Sequence, residues 1–197
     1  TVLSGPAAGP TAGAFYSSLL GYKNCITVDM GGTSFDASLV IENQCVTGTD
    51  GSINRYRVAL PSLDIVTIGA GGGSIGWIDS GGLLRVGPQS AGSKPGPVCY
   101  DKGGEKPACT DADLVLGYLD PNFFAGGRLK LNKVKAENNI KKELATKLHL
   151  SLMETAAGMF RIINNNMAQG VREVSVEKGY DPREFLFIVA GGAGPIH

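Results

Sequence analysis

Two strand-forming runs, Asn24-Cys25-Ile26-Thr27-Val28-Asp29-Met30 and Ser34-Phe35-Asp36-Ala37-Ser38-Leu39-Val40-Ile41-Glu42, flank Gly31-Gly32-Thr33. Their β-branched and aromatic content and the glycine break between them specify an antiparallel hairpin, so the fold is built on a sheet. An Asn-Gly or Asp-Gly pair would suffice for the turn alone. Here the bend reads DxGGTxxD, with Asp29 closing one strand and Asp36 inside the next. A Gly-Gly turn leaves N–H groups pointing outward, where they cradle a phosphate at close range. Thr33 and Ser34 add hydroxyl donors. Asp29 and Asp36 do not attract an anion, but together they can hold a hydrated Mg²⁺ that neutralises phosphate. A plain hairpin with capped ends is the bland alternative.

The rest of the chain supplies both sheet and helix. Residues 5–20 carry small, then apolar side chains, giving a short helix from about Thr11 to Leu20 stopped by Gly21, with a small-residue face for close packing. Residues 53–68 suggest one or two further strands, with Pro61 forcing a break or an edge. Segment 69–113 is rich in Gly and Pro, and it begins with a hairpin turning at Ser80-Gly81-Gly82. A long loop follows, and Trp77, Val98 and Tyr100, regularly placed across the segment, favour order over disorder in it. Asp111 stands where it would cap a helix over ADLVLGYL, and residues 133–148 are charged and amphipathic.

Leu152, Ala156, Met159, Ile163, Met167, Val171 and Val174 recur at three- and four-residue steps within 151–179, the best helical pattern in the chain. Ser151 and Glu154 make its capping box. Residues 185–190, FLFIVA, read as a buried strand running into Gly191-Gly192-Ala193-Gly194. The expectation is an α/β domain with a mixed sheet and an irregular insertion.

At 197 residues with 43% apolar content, one domain of ordinary size is expected. The 18 basic and 18 acidic residues cancel, and no basic stripe interleaved with aromatics appears, which argues against nucleic acid as the main ligand. No apolar run reaches the roughly 18 residues of a membrane span. Cys25, Cys45, Cys99 and Cys109 lie far apart without a C-x-x-C pair, and the chain has two histidines. Reduced thiols in a cytoplasmic protein are expected, and a zinc site would need closer ligand spacing. Cys99 has no His partner nearby in sequence, so no nucleophile pattern forms. The Asp111/Asp113 pair reads as a helix cap ahead of a metal site. The start at Thr1 without Met and the stop at His197 read as ends cut from a longer protein.

Two further glycine loops matter. Gly71, Gly73 and Gly76 formally satisfy G-x-G-x-x-G after a strand. No helix pattern follows, and Ser90–Gly92 stand where the acidic partner belongs, so a loop of close approach beside a ligand fits better than a dinucleotide site. The third loop, AGGAGPIH, leaves strand FLFIV, and its glycines would let a flat ring lie against backbone. A simple strand-to-helix turn is the alternative, with His197 as a first-turn residue.

Taken together, these loops resemble the actin, sugar-kinase and heat-shock-chaperone ATPase superfamily. Its chaperone members carry a helix of the type EPTAAAIAYGL and then DLGGGTFDVS. Here Pro10-Thr11-Ala12-Gly13-Ala14-Phe15-Tyr16 precedes VDMGGTSFDAS in similar order. More specifically, SGPAAG, DMGGTSFD, IGAGGGSI, VGPQSAGSKPGPVCY, TDADLVLGYLDP and AGGAGPIH resemble, in order, the central domain of the hydantoinase A/oxoprolinase family. That family includes 5-oxoprolinase, N-methylhydantoinase and β-type subunits of ketone carboxylases.

The resemblance implies a ribonuclease-H-like, actin-like ATPase half spanning 1–197, with residues 1–23 as connecting helix and 69–113 as an insertion. It implies ATP and Mg²⁺ as cofactors. Asp29 and Asp36 would serve as the catalytic, Mg²⁺-organising carboxylates. Gly31, Gly32, Thr33 and Ser34 would hold phosphate, Gly71, Gly72 and Gly73 would line the cleft, and Gly191, Gly192 and Gly194 would take the adenosine. A cyclic amide or ketone substrate is implied, together with the missing N-terminal half of the chain and a hydantoinase B-type subunit or domain. The fragment alone is then expected to be inactive. The implied activity is ATP-dependent hydrolysis of a cyclic amide through phosphorylation of its carbonyl oxygen. The alternatives are a ketone carboxylase subunit and a non-catalytic nucleotide switch. Segment 69–113, absent from chaperone ATPases, favours the enzyme.

Overall fold

The computed structural model describes residues 5–48, 51–53, 56–58 and 62–197. Helix α1 (Ala8–Leu19) leads into strands β1 (Cys25–Met30), β2 (Phe35–Ile41) and β3 (Gln44–Cys45). Four short strands follow: β4 (Thr47–Gly48), β5 (Gly51–Ile53), β6 (Tyr56–Val58) and β7 (Ser62–Leu63). Then come β8 (Ile65–Ile68), β9 (Ser74–Ile78), β10 (Leu84–Ser90), α2 (Cys109–Leu116) and α3 (Lys133–Ile140). A π turn over Lys141–Ala145 joins α3 to α4 (Thr146–Leu148), and α5 (Leu152–Val174) and β11 (Leu186–Ala190) complete the order.

The central sheet is mixed, as expected. β11 pairs parallel to β1, and β1 pairs antiparallel to β2. The far edge of β2 is shared, with β3 along Val40–Ile41 and β8 along Phe35–Ser38. Alternation along the strands sorts the side chains. Ile26, Val28 and Met30, opposite Leu39, Ala37 and Phe35, form one apolar face that α5 covers. Met159, Ile163, Met167 and Val174 of α5 are buried in this core, at the spacing read from the sequence. Leu152 and Val171 of the same stripe are half-buried. Each such side chain contributes about 1.5–3 kcal/mol by leaving water.

The opposite face carries Cys25, Thr27 and Asp29, and α1 packs on it through small residues. A Cβ on Gly13 would sit 2.0 Å from Thr27 Cγ2, so only glycine permits this approach. Ser17 meets Cys25 one helical turn later, so α1 runs antiparallel to β1 and its amino end points toward Asp29. The helix begins at Ala8 rather than near Thr11, because Pro10 lies in the first turn, where no N–H is needed.

Four further expectations are adjusted. Asp111 is the third helical residue of α2, not its N-cap. Helix α5 ends at Val174, and a 3₁₀ turn over Val176–Lys178 carries the chain to Gly179. β11 is a half-exposed edge strand instead of a buried one. Phe187 and Val189 project beyond the reach of α5 and stay 46% and 43% exposed. Over residues 53–68, where one or two strands were expected, three short ones form (β6, β7 and β8), and Pro61 lies outside the described residues. The ribbon β9–β10 turns at Ser80–Gly82 as expected, and the loop after it is ordered. Trp77 Nε1 donates to Gly87 O at 2.8 Å, and Val98–Tyr100 form a 3₁₀ turn. None of the described helices is long and apolar enough to cross a membrane.

Candidate functional site

The carboxylates of the opening motif are brought face to face. Asp29 and Asp36 are direct cross-strand partners in the β1–β2 ladder, as are Thr27 and Ser38 beside them. Thr27 Oγ1 and Ser38 Oγ hydrogen-bond at 2.6 Å, while the Thr67 hydroxyl donates to Asp36 Oδ1 from β8. Among the described residues neither aspartate has an ion-pair partner. Like charges directly opposite one another on adjacent strands are destabilising, and a cation between them reverses that sign.

The three glycine loops converge at this end of the sheet. Gly31 N–H closes the hairpin turn on Ser34 O at 3.1 Å. Among the described residues the N–H groups of Gly32, Thr33 and Ser34 meet no hydrogen-bond acceptor, and successive unused donors in a turn form an anion-binding concavity. The second loop braces the first from behind. Gly72 N–H donates to Gly31 O at 3.0 Å, and Gly73 N–H donates to Gly32 O at 2.7 Å. A Cβ on Gly71 would lie 2.5 Å from Thr33 N, and one on Gly73 would lie 2.7 Å from Gly32 O. These glycines therefore set the position of the turn, and their own N–H groups are spent in doing so. Ser74, which follows, opens strand β9, so no helix N-terminus stands behind G-x-G-x-x-G.

The third loop closes the site from β11. Gly191 has φ +83°, and a Cβ there would strike Met30 O at 2.3 Å and Asp29 Oδ1 at 2.4 Å, so this residue must be glycine on both counts. Gly194 packs on Val189, and around Gly31, Gly32 and Gly192 the position of a Cβ is open. A cavity of about 170 Å³ lies among Gly31, Gly32, Gly72, Gly73, Gly192 and Asp113. The glycines give it one wall of backbone, which suits close approach by a flat or anionic group, and Tyr100, Leu119, Phe124 and Ile196 line the rest with apolar side chains.

The floor of that cavity is α2. Asp111 is fully buried, and its carboxylate accepts from the N–H groups of Val98 at 3.1 Å, Cys99 at 2.7 Å and Ala108 at 2.8 Å. It staples the irregular loop to the helix start. Burial pushes its carboxyl above the ordinary range against these hydrogen bonds. Thr110 anchors α2 to the second loop, with both N–H and Oγ1 donating to Gly72 O at 2.8 Å. Burial, then the neighbouring Asp111, drives the Cys99 thiol far up, so no thiolate forms there at neutral pH.

Sequence reasoning did not foresee the neighbourhood of His197. It follows a 3₁₀ turn over Gly194–Ile196 and lodges between α2 and α5, stacked on Phe160 with ring centroids 4.8 Å apart. Its side chain and that of Asp113 are each 1% exposed, with Nε2 3.7 Å from Asp113 Oδ2. The i, i+4 spacing of Cys109 and Asp113 on one helix face was the available signal.

Comparison with known proteins gives the family. Residues 1–197 match the hydantoinase/oxoprolinase family throughout, and the chain belongs to that family. It is 47% identical over 194 residues to caprolactamase subunit alpha of Pseudomonas jessenii, covering 98% of this chain and 28% of that protein. The crystal structure of that ATP-dependent caprolactamase superposes with a TM-score of 0.88 over 96% of this chain and 28% of that one. The acetophenone carboxylase gamma subunit of Aromatoleum aromaticum is 45% identical over 199 residues, all of this chain and 27% of that subunit. A nucleotide-free acetone carboxylase structure, 35% identical, superposes with a TM-score of 0.93 over all of this chain and 28% of that one. The chain thus spans under a third of the relatives it matches.

Proposed function

We propose that this chain is the ATP-binding half of an ATP-dependent cyclic amide hydrolase, with the actin-like ATPase fold that its sheet, connecting helix and loops resemble. The observation that carries the reading is the pairing of Asp29 with Asp36 beside a turn of unused N–H donors. Two opposed carboxylates without a cationic partner suit Mg²⁺, and the adjacent N–H groups suit the phosphates that Mg²⁺ accompanies. When bound, ATP supplies the phosphoryl group that turns an unreactive carbonyl oxygen into a leaving group, with the metal offsetting developing charge.

The residues of this chain bind and position. Gly32, Thr33 and Ser34 present N–H and hydroxyl donors to phosphate oxygens. Asp29 and Asp36 hold the metal through water, with the Thr67 hydroxyl fixing the Asp36 side chain. Gly71, Gly72 and Gly73 hold the first loop rigid, and Gly191, Gly192 and Gly194 leave room for the adenosine against backbone. The amino end of α1, aimed toward Asp29, adds a favourable dipole. The other half of the cleft and a hydantoinase B-type partner would come from outside these 197 residues. We place the enzyme in the cytoplasm, in keeping with its thiols, none of them in a disulfide among the described residues.

A ketone carboxylase subunit is the second reading, favoured by the acetone and acetophenone carboxylase relatives. Phosphate release from ATP by the full-length protein with its partner subunit separates the two. Stimulation by 5-oxoproline, hydantoins or lactams supports the hydrolase, and stimulation only by small ketones with bicarbonate supports the carboxylase. No stimulation by either class removes the enzyme reading.

A further inference from the structure

Beside the glycine cavity lies a second cluster with different chemistry. Cys109 Sγ, one Asp113 carboxylate oxygen and a His197 ring nitrogen all lie within 4.8 Å of one another. Cys109 and Asp113 stand one turn apart on the same face of α2, and His197 arrives from 88 residues beyond Cys109. The imidazole Nε2 is 3.6 Å from Cys109 Sγ and 3.7 Å from Asp113 Oδ2. In a tetrahedral zinc site, with Zn–S about 2.3 Å and Zn–N or Zn–O about 2.0 Å, neighbouring ligand atoms are separated by about 3.3–3.6 Å. The two Nε2 separations need only a few tenths of an ångström of closure to match, while the Cys109 Sγ–Asp113 separation, within 4.8 Å, closes by up to about an ångström through side-chain rotation.

Polar bookkeeping points the same way. Asp113 Oδ1 is buried and has no hydrogen-bond partner, while the residue is 1% exposed and lines the cavity under the loops. A buried carboxylate oxygen without a donor is costly. A divalent cation at this point supplies the partner that Oδ1 lacks. A 2+ ion with one thiolate, one carboxylate and one neutral imidazole is a neutral unit, and its formation releases the thiol proton to solvent.

We propose that Cys109, Asp113 and His197 bind a thiophilic divalent transition ion, Zn²⁺ by the nature of the donors, at a site separate from the Asp29/Asp36 pair. The three protein ligands leave a fourth position facing the loop cavity that Asp113 lines, open to water or to an oxygen of a molecule bound there. Coordination through Nε2 puts the ring proton on Nδ1. The Asn164 amide nitrogen, 3.3 Å from Nδ1, keeps its hydrogen bond to Phe160 O at 2.8 Å and gives up the ring contact when Nδ1 carries the proton.

The test uses the full-length protein, stripped by a chelator and titrated with Co²⁺ and with Zn²⁺. Wild type is expected to bind one equivalent more than Cys109→Ala or His197→Gln, whose affinity at this site falls on the order of 100-fold or more. With Co²⁺, a thiolate-to-metal charge-transfer band appears in wild type and in Asp29→Asn and is absent from Cys109→Ala. Asp29→Asn thereby separates this site from the phosphate loop. Should Cys109→Ala fail to fold, His197→Gln carries the comparison. Equal metal content in wild type and both variants, or no thiolate band in wild type, overturns the proposal.

Discussion

Asp29 and Asp36 show what a single residue pair can demand of its surroundings. Their register places like charges directly across a ladder, a local cost of roughly half a kcal/mol that survives only where a cation repays it. Asp29→Asn is therefore expected to lose Mg²⁺-dependent ATP turnover in the full-length enzyme. The same change should leave the metal-free thermal midpoint unchanged or slightly raised, and a scanning melt with and without Mg²⁺ checks both signs. Asp111 is the opposite case, since its carboxylate satisfies three buried N–H groups. Asp111→Ala should cost about 2–4 kcal/mol, read as a lowered midpoint in denaturant. Thiol mapping by mass spectrometry should find Cys45, half-buried, alkylated before Cys25, Cys99 and Cys109, which are buried. At this scale DxGGTxxD was legible because its spacing is local. The Cys109–Asp113–His197 cluster was not, because its third member arrives through tertiary structure and the cysteine spacing alone argued against zinc.

Among the elements, α1 and α5 clamp the sheet by different means. The α5 stripe was readable from its period, and its capping box forms as the sequence indicates, with Ser151 Oγ accepting from Glu154 N–H and Glu154 accepting from Ser151 N–H. The contact of α1 rests on an absence of side chain, and composition hinted at it without giving the register. Gly13→Ala drives a methyl into Thr27 Cγ2 on a buried strand, where the Thr27 side chain is tied to Ser38 by a 2.6 Å hydrogen bond. It is expected to lower stability by about 1–3 kcal/mol by calorimetry, although alanine favours an isolated helix. The burial of β11 was misjudged because an apolar run of this length reads the same at the centre of a sheet and at its edge.

At the scale of the molecule, the proposed function makes the chain one wall of a cleft, and the structure leaves apolar surface exposed. Phe15, Tyr16, Leu19 and Leu20 of the first helix region are each more than half exposed, as is nearly true of Phe187 on β11. Patches of this kind are interaction surfaces. The 197-residue chain expressed by itself is expected to bind a hydrophobic dye and self-associate on gel filtration, and the full-length protein to do neither. The order of loops along the chain was visible in the sequence. Their convergence depends on hydrogen bonds from Gly72 and Gly73 to the first turn, which no spacing rule reveals. On the proposed function, this convergence holds Mg²⁺ and nucleotide phosphate together. Calorimetric titration of the full-length protein with ATP, with and without Mg²⁺, tests it most directly. Mg²⁺ is expected to tighten binding about tenfold or more in wild type and not at all in Asp29→Asn. Equal Mg²⁺ dependence in the two proteins would contradict it.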